Sequence, residues 1–310
     1  MAALVMMKLI VFVGFLLLGM MFSVLAAMTL GRGLSGDQIA FVSDREDNQE
    51  IYLLDLPTGL VTNLSRNRLS DEYVPAWSPD GQQVAYASDL DGDMDIYMMD
   101  VPPNGEARKL THNVGWDSMP AWSPDGKWIA FASYASLGQN IYILSVDSDS
   151  DALVALTELR GYESYPMWSP DGTELMFASE IDFSSQVYLL DIQQTDVRPS
   201  AIPFLNDYQA RYSMPRWSPD GRFILYSARV NSLAQDIFLL NLNTGQTQNL
   251  THSLANDDAP SWSPDGTRIV FWSTREGSAD LYLMNADGDD LRRLTTHSAE
   301  DVSPAWRPHQ

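Results

Sequence analysis

The pentapeptide Trp-Ser-Pro-Asp-Gly (WSPDG) occurs five times in this chain, and no other feature restricts the fold as strongly. The five copies begin at Trp77, Trp122, Trp168, Trp217 and Trp262, and an incomplete sixth copy begins at Trp306. Successive tryptophans lie 45, 46, 49, 45 and 44 residues apart. A nearly constant period of this length predicts a repeat architecture, in which each unit buries its surfaces against its neighbours.

Each repeat has the pattern of four short β-strands. In the copy at Trp77, a short strand ends at the tryptophan, and residues 78–81 suit a tight turn because proline and glycine favour the required backbone angles. Further strands follow at residues 84–88, 96–100 and 108–111. Short β-branched and aromatic runs separated by Gly, Pro and Asp are typical of strands. Four antiparallel strands that recur radially predict the blade of a β-propeller.

The two ends of the chain complement each other. The copy at Trp306 reaches Gln310 before its second strand is due, and three strand-like segments stand near the N-terminus, at residues 39–43, 51–55 and 61–64. We therefore predict an all-β, six-bladed propeller of four-stranded antiparallel blades. One blade combines the C-terminal strand with three N-terminal strands, which closes the ring and covers two exposed sheet edges.

An uncharged apolar run occupies residues 9–30, between Lys8 and Arg32. About 20 apolar residues are enough to cross a bilayer, whereas the apolar core of a secretory signal has about 7–15. The length favours an uncleaved anchor, but Val24-Leu25-Ala26 resembles a cleavage site, so a cleaved signal stays the alternative. Both predict an extracytoplasmic location. The expected domains are residues 1–36 as signal or anchor with a short linker, and residues 37–310 as the propeller.

The segments P-x-W-S-P-D-G, I-A-F-x-S, D-I-Y-x-x-D and L-T together resemble the WD40-like (PD40) repeat of the TolB-type β-propeller family. The resemblance covers residues 37–310. It implies an exported, non-catalytic propeller that binds other proteins. TolB carries an α/β domain ahead of its propeller, and residues 30–39 leave no room for one, so we expect a propeller without that domain.

The composition narrows the classes of partner and cofactor. The formal net charge of −22 disfavours nucleic acid, because the phosphate backbone is repelled. The chain has no cysteine, which excludes disulfides and thiolate ligands. Residues 89–95 alternate carboxylates, yet the glycine is fourth instead of sixth as in a calcium-binding EF-hand loop. We favour an acidic hairpin loop, with calcium as the alternative, and predict no metal site and no other cofactor.

The longest and most diverse loops lie at one end of the predicted blades, at residues 113–119, 158–165, 206–214 and 253–259. We call this end the long-loop face, and expect binding there because variable loops on a rigid scaffold carry recognition. Five residues before the blade tryptophans stand five acidic residues, Glu72, Asp117, Glu163, Asp257 and Asp301. This acidic ring attracts a cation or a basic peptide, or its carboxylates accept backbone N–H bonds where one blade joins the next.

Aromatic residues on the same loops are the second group of predicted partner-binding residues. They are Trp116, Tyr162, Tyr165 and Tyr212, the last of which takes the sixth position of the acidic ring. Exposed Tyr and Trp are enriched among interface anchors, although they also fill gaps between blades. We therefore predict a scaffold without catalytic residues. The alternative is a propeller enzyme or accessory subunit that acts on peptides or glycans at the channel mouth, with His112, His252 and His297 beside the acidic ring.

Overall fold

The structure is a computed structural model that describes residues 37–308, apart from 104–105, 114, 135–137, 148–152, 159–160, 182–183, 194–198, 203–204, 206–210 and 230–233. The apolar run at residues 9–30 lies outside the described residues. Within the described part, no helix combines the length and apolar character that a membrane crossing requires.

The described residues form six four-stranded antiparallel sheets, numbered as blades 1 to 6 from the N-terminus. Blade 1 contains β1 (Gln38–Ser43), β2 (Glu50–Asp55), β3 (Leu60–Asn63) and, at its inner edge, β24 (Asp301–Trp306). Blade 2 contains β4 (Glu72–Trp77), β5 (Gln83–Ser88), β6 (Asp95–Asp100) and β7 (Arg108–Lys109). Blade 3 contains β8 (Asp117–Trp122), β9 (Trp128–Ser133), β10 (Asn140–Ser145) and β11 (Val154–Ala155).

The remaining blades repeat this order from the inner strand outwards. Blade 4 contains β12 (Tyr162–Trp168), β13 (Glu174–Ile181), β14 (Ser184–Asp191) and β15 (Ser200–Ala201). Blade 5 contains β16 (Arg211–Trp217), β17 (Phe223–Arg229), β18 (Asp236–Asn241) and β19 (Thr247–Asn249). Blade 6 contains β20 (Asp257–Trp262), β21 (Arg268–Glu276), β22 (Ser278–Asn285) and β23 (Arg292–Arg293). The predicted all-β propeller is confirmed.

The predicted closure of the ring is also confirmed. Strand β24 pairs with β1 from Ile39 opposite Trp306 to Ser43 opposite Asp301. Beyond the last strand, Arg307 stands where the complete copies have serine, and its backbone N–H donates to the carbonyl of Gln38 at 2.8 Å. Its guanidinium donates to Gln38 Oε1 at 2.7 Å and lies 4.9 Å from the centre of the Trp77 ring. Arg307 therefore ties blade 1 to blade 2.

The WSPDG residues form a tight turn whose side chains hydrogen-bond within the turn itself. In blade 2, the Ser78 hydroxyl donates to Asp80 at 2.7 Å, and the backbone N–H of Gln83 donates back to Ser78 at 2.9 Å. Gly81 has a φ of 65°, in the left-handed region that glycine adopts without strain. The same bonds recur in the other complete copies, for example from Ser123 to Asp125. These turns form the face opposite the long-loop face.

The core lies between the blades, because each sheet packs against a neighbour on both sides. All six residues of β1 are buried, and residues 39–42 within it form a continuous apolar run without alternation. The blade tryptophans fill the space towards the preceding blade, and the Trp77 indole N–H donates to the carbonyl of Ala305 at 3.0 Å. Trp168 donates in the same way to the carbonyl of Ala121 at 3.2 Å.

Every inner strand is interrupted by a bulge three residues before its tryptophan. The pairing register shifts there in all six described blades. The bulged residues have positive φ angles between 48° and 58°, and they are Val74, Met119, Tyr165, Met214, Ala259 and Ser303. A bulge bends the strand and redirects its side chains. The repeated bulge therefore shapes the wall of the central channel.

Candidate functional site

The acidic ring lies in the junctions between consecutive blades and is shielded from solvent. The exposed fraction is 1% for Glu72 and 0% for its four companions, Asp117, Glu163, Asp257 and Asp301. The backbone N–H of Glu72 donates to the carbonyl of Gln49 in the preceding blade at 2.8 Å, and that of Asp117 donates to Met94 at 2.8 Å. These residues therefore stand where the chain crosses from blade to blade. Their predicted contact with a partner stays a prediction.

Two members of the ring are paired with arginine. Asp301 accepts from Arg45 Nη2 at 2.6 Å, and Asp257 accepts from Arg275 Nη2 at 2.9 and 3.0 Å. Each guanidinium also lies over an aromatic ring. Arg45 is 4.7 Å from the centre of the Tyr52 ring, and Arg275 is 4.8 Å from the centre of the Tyr282 ring. The arginines neutralise these two carboxylates inside the protein.

The other three members have hydroxyl or amide partners. Glu72 accepts from the Ser70 hydroxyl at 2.5 Å, and Glu163 from the Thr157 hydroxyl at 3.2 Å. Asp117 accepts from the Asn113 amide at 3.1 Å. Burial raises the pKa of Glu72 and of Glu163 to about 7, and it also raises the pKa of Asp117. Burial therefore lowers the negative charge that these three carboxyl groups carry at neutral pH.

The predicted aromatic residues divide into exposed and partly buried ones. Trp116 is 63% exposed and Tyr162 is 56% exposed. Tyr134, which the sequence reasoning missed, is 44% exposed; its ring centre lies 6.1 Å from that of Tyr162, and its N–H donates to the Trp116 carbonyl at 3.1 Å. We call Trp116, Tyr134 and Tyr162 the aromatic cluster. It joins the loops of blades 3 and 4 on the long-loop face.

A signal for Tyr134 is present in the sequence. Tyr134 directly follows the serine that ends the second strand, and the same position holds Asp44, Asp89 and Thr274 in other blades. An aromatic residue in a place that is otherwise polar marks a local departure from the repeat. Comparing the copies position by position would therefore have identified it.

A pocket of about 400 Å³ opens beside the aromatic cluster, and we call it the mouth pocket. Tyr162 and Tyr165 line it together with polar side chains, among them Asp258, Arg229 and Gln235. Tyr165 is partly buried and also lines the central channel, so it stands between the two spaces. The backbone of Tyr212 pairs with Ala228, and its side chain lies outside the described residues.

Among the described residues, more of the exposed large apolar side chains lie on the long-loop face than elsewhere. Besides the aromatic cluster, Leu69, Leu90 and Leu254 are exposed there by 88%, 42% and 102%. Leu69 lies between β3 and β4, Leu90 between β5 and β6, and Leu254 between β19 and β20. Exposed apolar residues gathered on one face mark an interaction surface more often than single scattered ones do.

The acidic loop of blade 2 contains the grouping that suggested calcium. Asp91, Asp93 and Asp95 bring one carboxylate oxygen each within 4.8 Å of the others. The Lys109 ammonium contacts Asp91 and lies 2.7 Å from Asp95 Oδ2. This ammonium supplies the positive charge that a bound cation would otherwise provide. His112, His252 and His297 are exposed on the long-loop face.

Comparison with known proteins gives a family and a set of similar structures. The family model described as the TolB beta propeller domain (PD40) matches residues 28–150 and 205–310. The solved structure of TolB from Acinetobacter baumannii is 23% identical, covers 89% of this chain and 68% of its own, and has a TM-score of 0.74. A search of curated protein sequences returned no significant match.

Two further structures show how widely this fold occurs. A chain of the nidogen/laminin complex is 11% identical, with a TM-score of 0.68, over 88% of this chain and 99% of that one. An oligogalacturonate lyase from Vibrio parahaemolyticus is 15% identical, with a TM-score of 0.57, over 86% of this chain and 76% of that one. At these identities the likeness shows the fold alone.

Proposed function

The chain belongs to the TolB β-propeller family, and we propose that it is an exported scaffold without catalytic activity that binds a protein or peptide partner on its long-loop face. The observation that carries this proposal is the aromatic cluster beside the mouth pocket. Tyr and Trp make effective interface anchors because they bury a large apolar area and lose little conformational freedom. The exposed leucines on the same face add to the area that a partner would cover.

The partner that fits this face has basic segments. The chain carries a formal charge of −22, and a field of this sign accelerates the approach of a positively charged protein. Since the acidic ring is buried, the carboxylates that face solvent are better candidates for this attraction. Asp44, Asp47 and Asp89 are exposed on the long-loop face in blades 1 and 2. They lie in the two blades that precede those of the aromatic cluster.

The proposed location is outside the cytoplasm, either anchored by the N-terminal segment or released after its cleavage. The support is the uncharged run at residues 9–30 together with the absence of cysteine, which avoids unwanted disulfides in an oxidising compartment. A reporter that is active only after export should be active when fused after Gln310. A reporter that is active only in the cytoplasm should be silent there, and the opposite pattern would contradict export.

Site-specific photo-crosslinking tests the binding face. A photoreactive amino acid is placed at Tyr134 or Trp116, and in matched variants at Leu60 or Leu291, which are 63% and 43% exposed at the opposite end of the blades. The proposal expects one discrete crosslinked partner from the first pair and none from the second. Crosslinks confined to Leu60 and Leu291 would move the interface to the WSPDG face.

The enzyme alternative centres on the mouth pocket, because a lyase shares the fold and the pocket contains Asp258, Arg229 and Tyr165. Asp258 is held by the N–H of Ala259 at 2.6 Å, and its pKa is raised by burial. Incubation with oligogalacturonate and with unstructured peptides tests this reading. Turnover that is lost in Asp258→Asn would favour the enzyme over the scaffold.

A further inference from the structure

The central channel has an apolar wall with a single charged side chain among the described residues that line it. The cavity measures about 190 Å³. At the level of the residue just before each blade tryptophan, the wall consists of Ala76, Ala121, Met167, Arg216, Ser261 and Ala305. Four of these six residues are alanine or serine, so the guanidinium of Arg216 faces a narrow open space.

Among the described residues, no counter-charge contacts Arg216. One guanidinium nitrogen donates to the carbonyl of Pro215 at 3.2 Å, and no described carboxylate forms an ion pair with it. Arg45, Arg275 and Arg293 do form such pairs. A guanidinium has five N–H donors, so most of the binding capacity of Arg216 faces the lumen. Burial lowers its pKa to about 10, which leaves it protonated at neutral pH.

The acidic residue whose charge acts on Arg216, Asp258, has a backbone partner of its own. Its carboxylate accepts the backbone N–H of Ala259 at 2.6 Å. It acts on Arg216 through its electrostatic field, and no ion pair joins the two side chains. A ligand anion is therefore free to take the direct hydrogen bonds of the guanidinium.

Blade 5 carries a second unusual arginine at the entrance to the same channel. Arg45 and Arg275 each stand two residues after a buried serine, and each pairs with an aspartate of the acidic ring. In blade 5, Ala228 pairs with Tyr212 as Ser273 pairs with Asp257 in blade 6, so Arg229 stands one position before that of Arg275. The ring position next to it, Tyr212, has no carboxylate. Arg229 is exposed and lines the mouth pocket. Tyr165 lines both the mouth pocket and the channel, so Arg229 is a second cation close to the channel.

We propose that the channel is a binding site for a carboxylate, with Arg216 as the group that binds it and Arg229 as a second cation at the entrance. Guanidinium and carboxylate match in a bidentate geometry, and such charge-assisted bonds are strengthened where water is scarce. The narrow wall admits a small organic acid or the free carboxyl end of a peptide with small side chains. The site does not depend on the proposed function, because it requires no partner on the long-loop face.

The high negative charge of the chain limits the affinity without preventing binding. Exposed charges are screened over about 8 Å at physiological ionic strength, whereas the contact with Arg216 acts at hydrogen-bond distance in a shielded space. We expect dissociation constants on the order of millimolar, typical of one charge-assisted contact with a small ligand. The binding is then measurable by its effect on thermal stability.

The test compares thermal unfolding in sodium acetate, in acetyl-trialanine with a free carboxyl group, and in acetyl-trialanine amide, with sodium chloride at equal ionic strength as the reference. At about ten times the dissociation constant, a carboxylate should raise the melting temperature by about 2–4 °C above chloride. Arg216→Met should abolish this rise, and methionine fits because Met167 occupies the same place in blade 4. Arg229→Met should weaken the binding severalfold, whereas Arg222→Met on the opposite face should not change it.

The outcomes distinguish a small organic acid from the carboxyl end of a peptide, and both of these from the absence of a carboxylate site. A rise with acetate and with the peptide acid, but not with the amide, supports a site open to chain ends; a rise with acetate alone supports a site for small acids. Equal rises in wild type and Arg216→Met, equal rises with peptide acid and amide, or no rise with any carboxylate would overturn the proposal. If Arg216→Met does not fold, Arg216→Lys keeps the charge without the planar fork, and its affinity should still fall severalfold. An unchanged affinity in Arg216→Lys would contradict the bidentate contact.

Discussion

The burial of Glu163 predicts a loss of stability at high pH that the variant Glu163→Gln should remove. The side chain has no exposed surface, and burial raises its pKa from 4.5 to about 7. A carboxyl group with a raised pKa stabilises the folded state while it is protonated. The stabilisation is complete below the unfolded pKa and is lost as the pH rises through about 7. Since one pKa unit corresponds to about 1.4 kcal/mol, ionisation costs on the order of 3 kcal/mol in the folded state.

Asp301→Asn is the matched comparison within the same acidic ring. Asp301 is also fully buried, but it accepts from Arg45 at 2.6 Å. Removing its charge leaves the guanidinium of Arg45 without its partner, which should lower the free energy of unfolding by about 3 kcal/mol. This loss should be nearly constant between about pH 5.5 and 8.5, because it comes from breaking the ion pair with Arg45.

The assay is urea unfolding at three pH values between about 5.5 and 8.5, in buffers of equal ionic strength. We expect Glu163→Gln to be slightly less stable than the wild type at the lowest pH, because the amide changes the hydrogen bonds to Thr157 and Ser179. At the highest pH it should be as stable or more stable. Parallel pH profiles for wild type and Glu163→Gln, or an Asp301→Asn variant without a loss, would refute the division of the ring into protonated and arginine-paired carboxylates.

Three other expectations follow from the same contacts. Deleting residues 302–310 removes most of β24 and should abolish cooperative unfolding or cause aggregation, and a monomer with an unchanged melting temperature would contradict the closure. Arg307→Ala should reduce the free energy of unfolding by about 1–3 kcal/mol, as measured in urea, because it loses the bond to Gln38 and the contact with Trp77. Glu72→Gln should leave the association rate with a partner unchanged at neutral pH, whereas a slower association would support steering by the ring.

The propeller was predictable from the sequence because its decisive signals are local. The turn that follows each tryptophan satisfies its own hydrogen bonds, as Ser78 and Asp80 do, so the same residues recur wherever the turn recurs. The constant spacing then fixes the number of blades, and the strand near Ile39 completes the copy at Trp306. None of these steps needs knowledge of distant contacts.

The chemistry of the ring and the channel was not predictable in the same way, because it depends on residues far apart in the chain. Asp301 and Arg45 are separated by 256 positions, so the sequence shows the acid but not its partner. The sequence also does not show that Glu163 is shielded from water, on which its raised pKa depends. Arg216 occupies the position just before a blade tryptophan, which every repeat has. The importance of its charge depends on the narrow apolar wall of the channel, which only the structure shows.

The most direct test of the central claim is the dissociation rate of the crosslinked partner, once purified, from variants of the two faces. One variant combines Trp116→Ala, Tyr134→Ala and Tyr162→Ala, and the control combines Leu60→Ala, Trp128→Ala and Leu291→Ala on the opposite face. All six side chains are at least partly exposed, so both variants should fold. We predict dissociation at least about tenfold faster for the first variant and unchanged for the control, since anchor residues mainly affect dissociation. Equal rates for the first variant and the wild type, or faster dissociation only in the control, would contradict binding through the long-loop face.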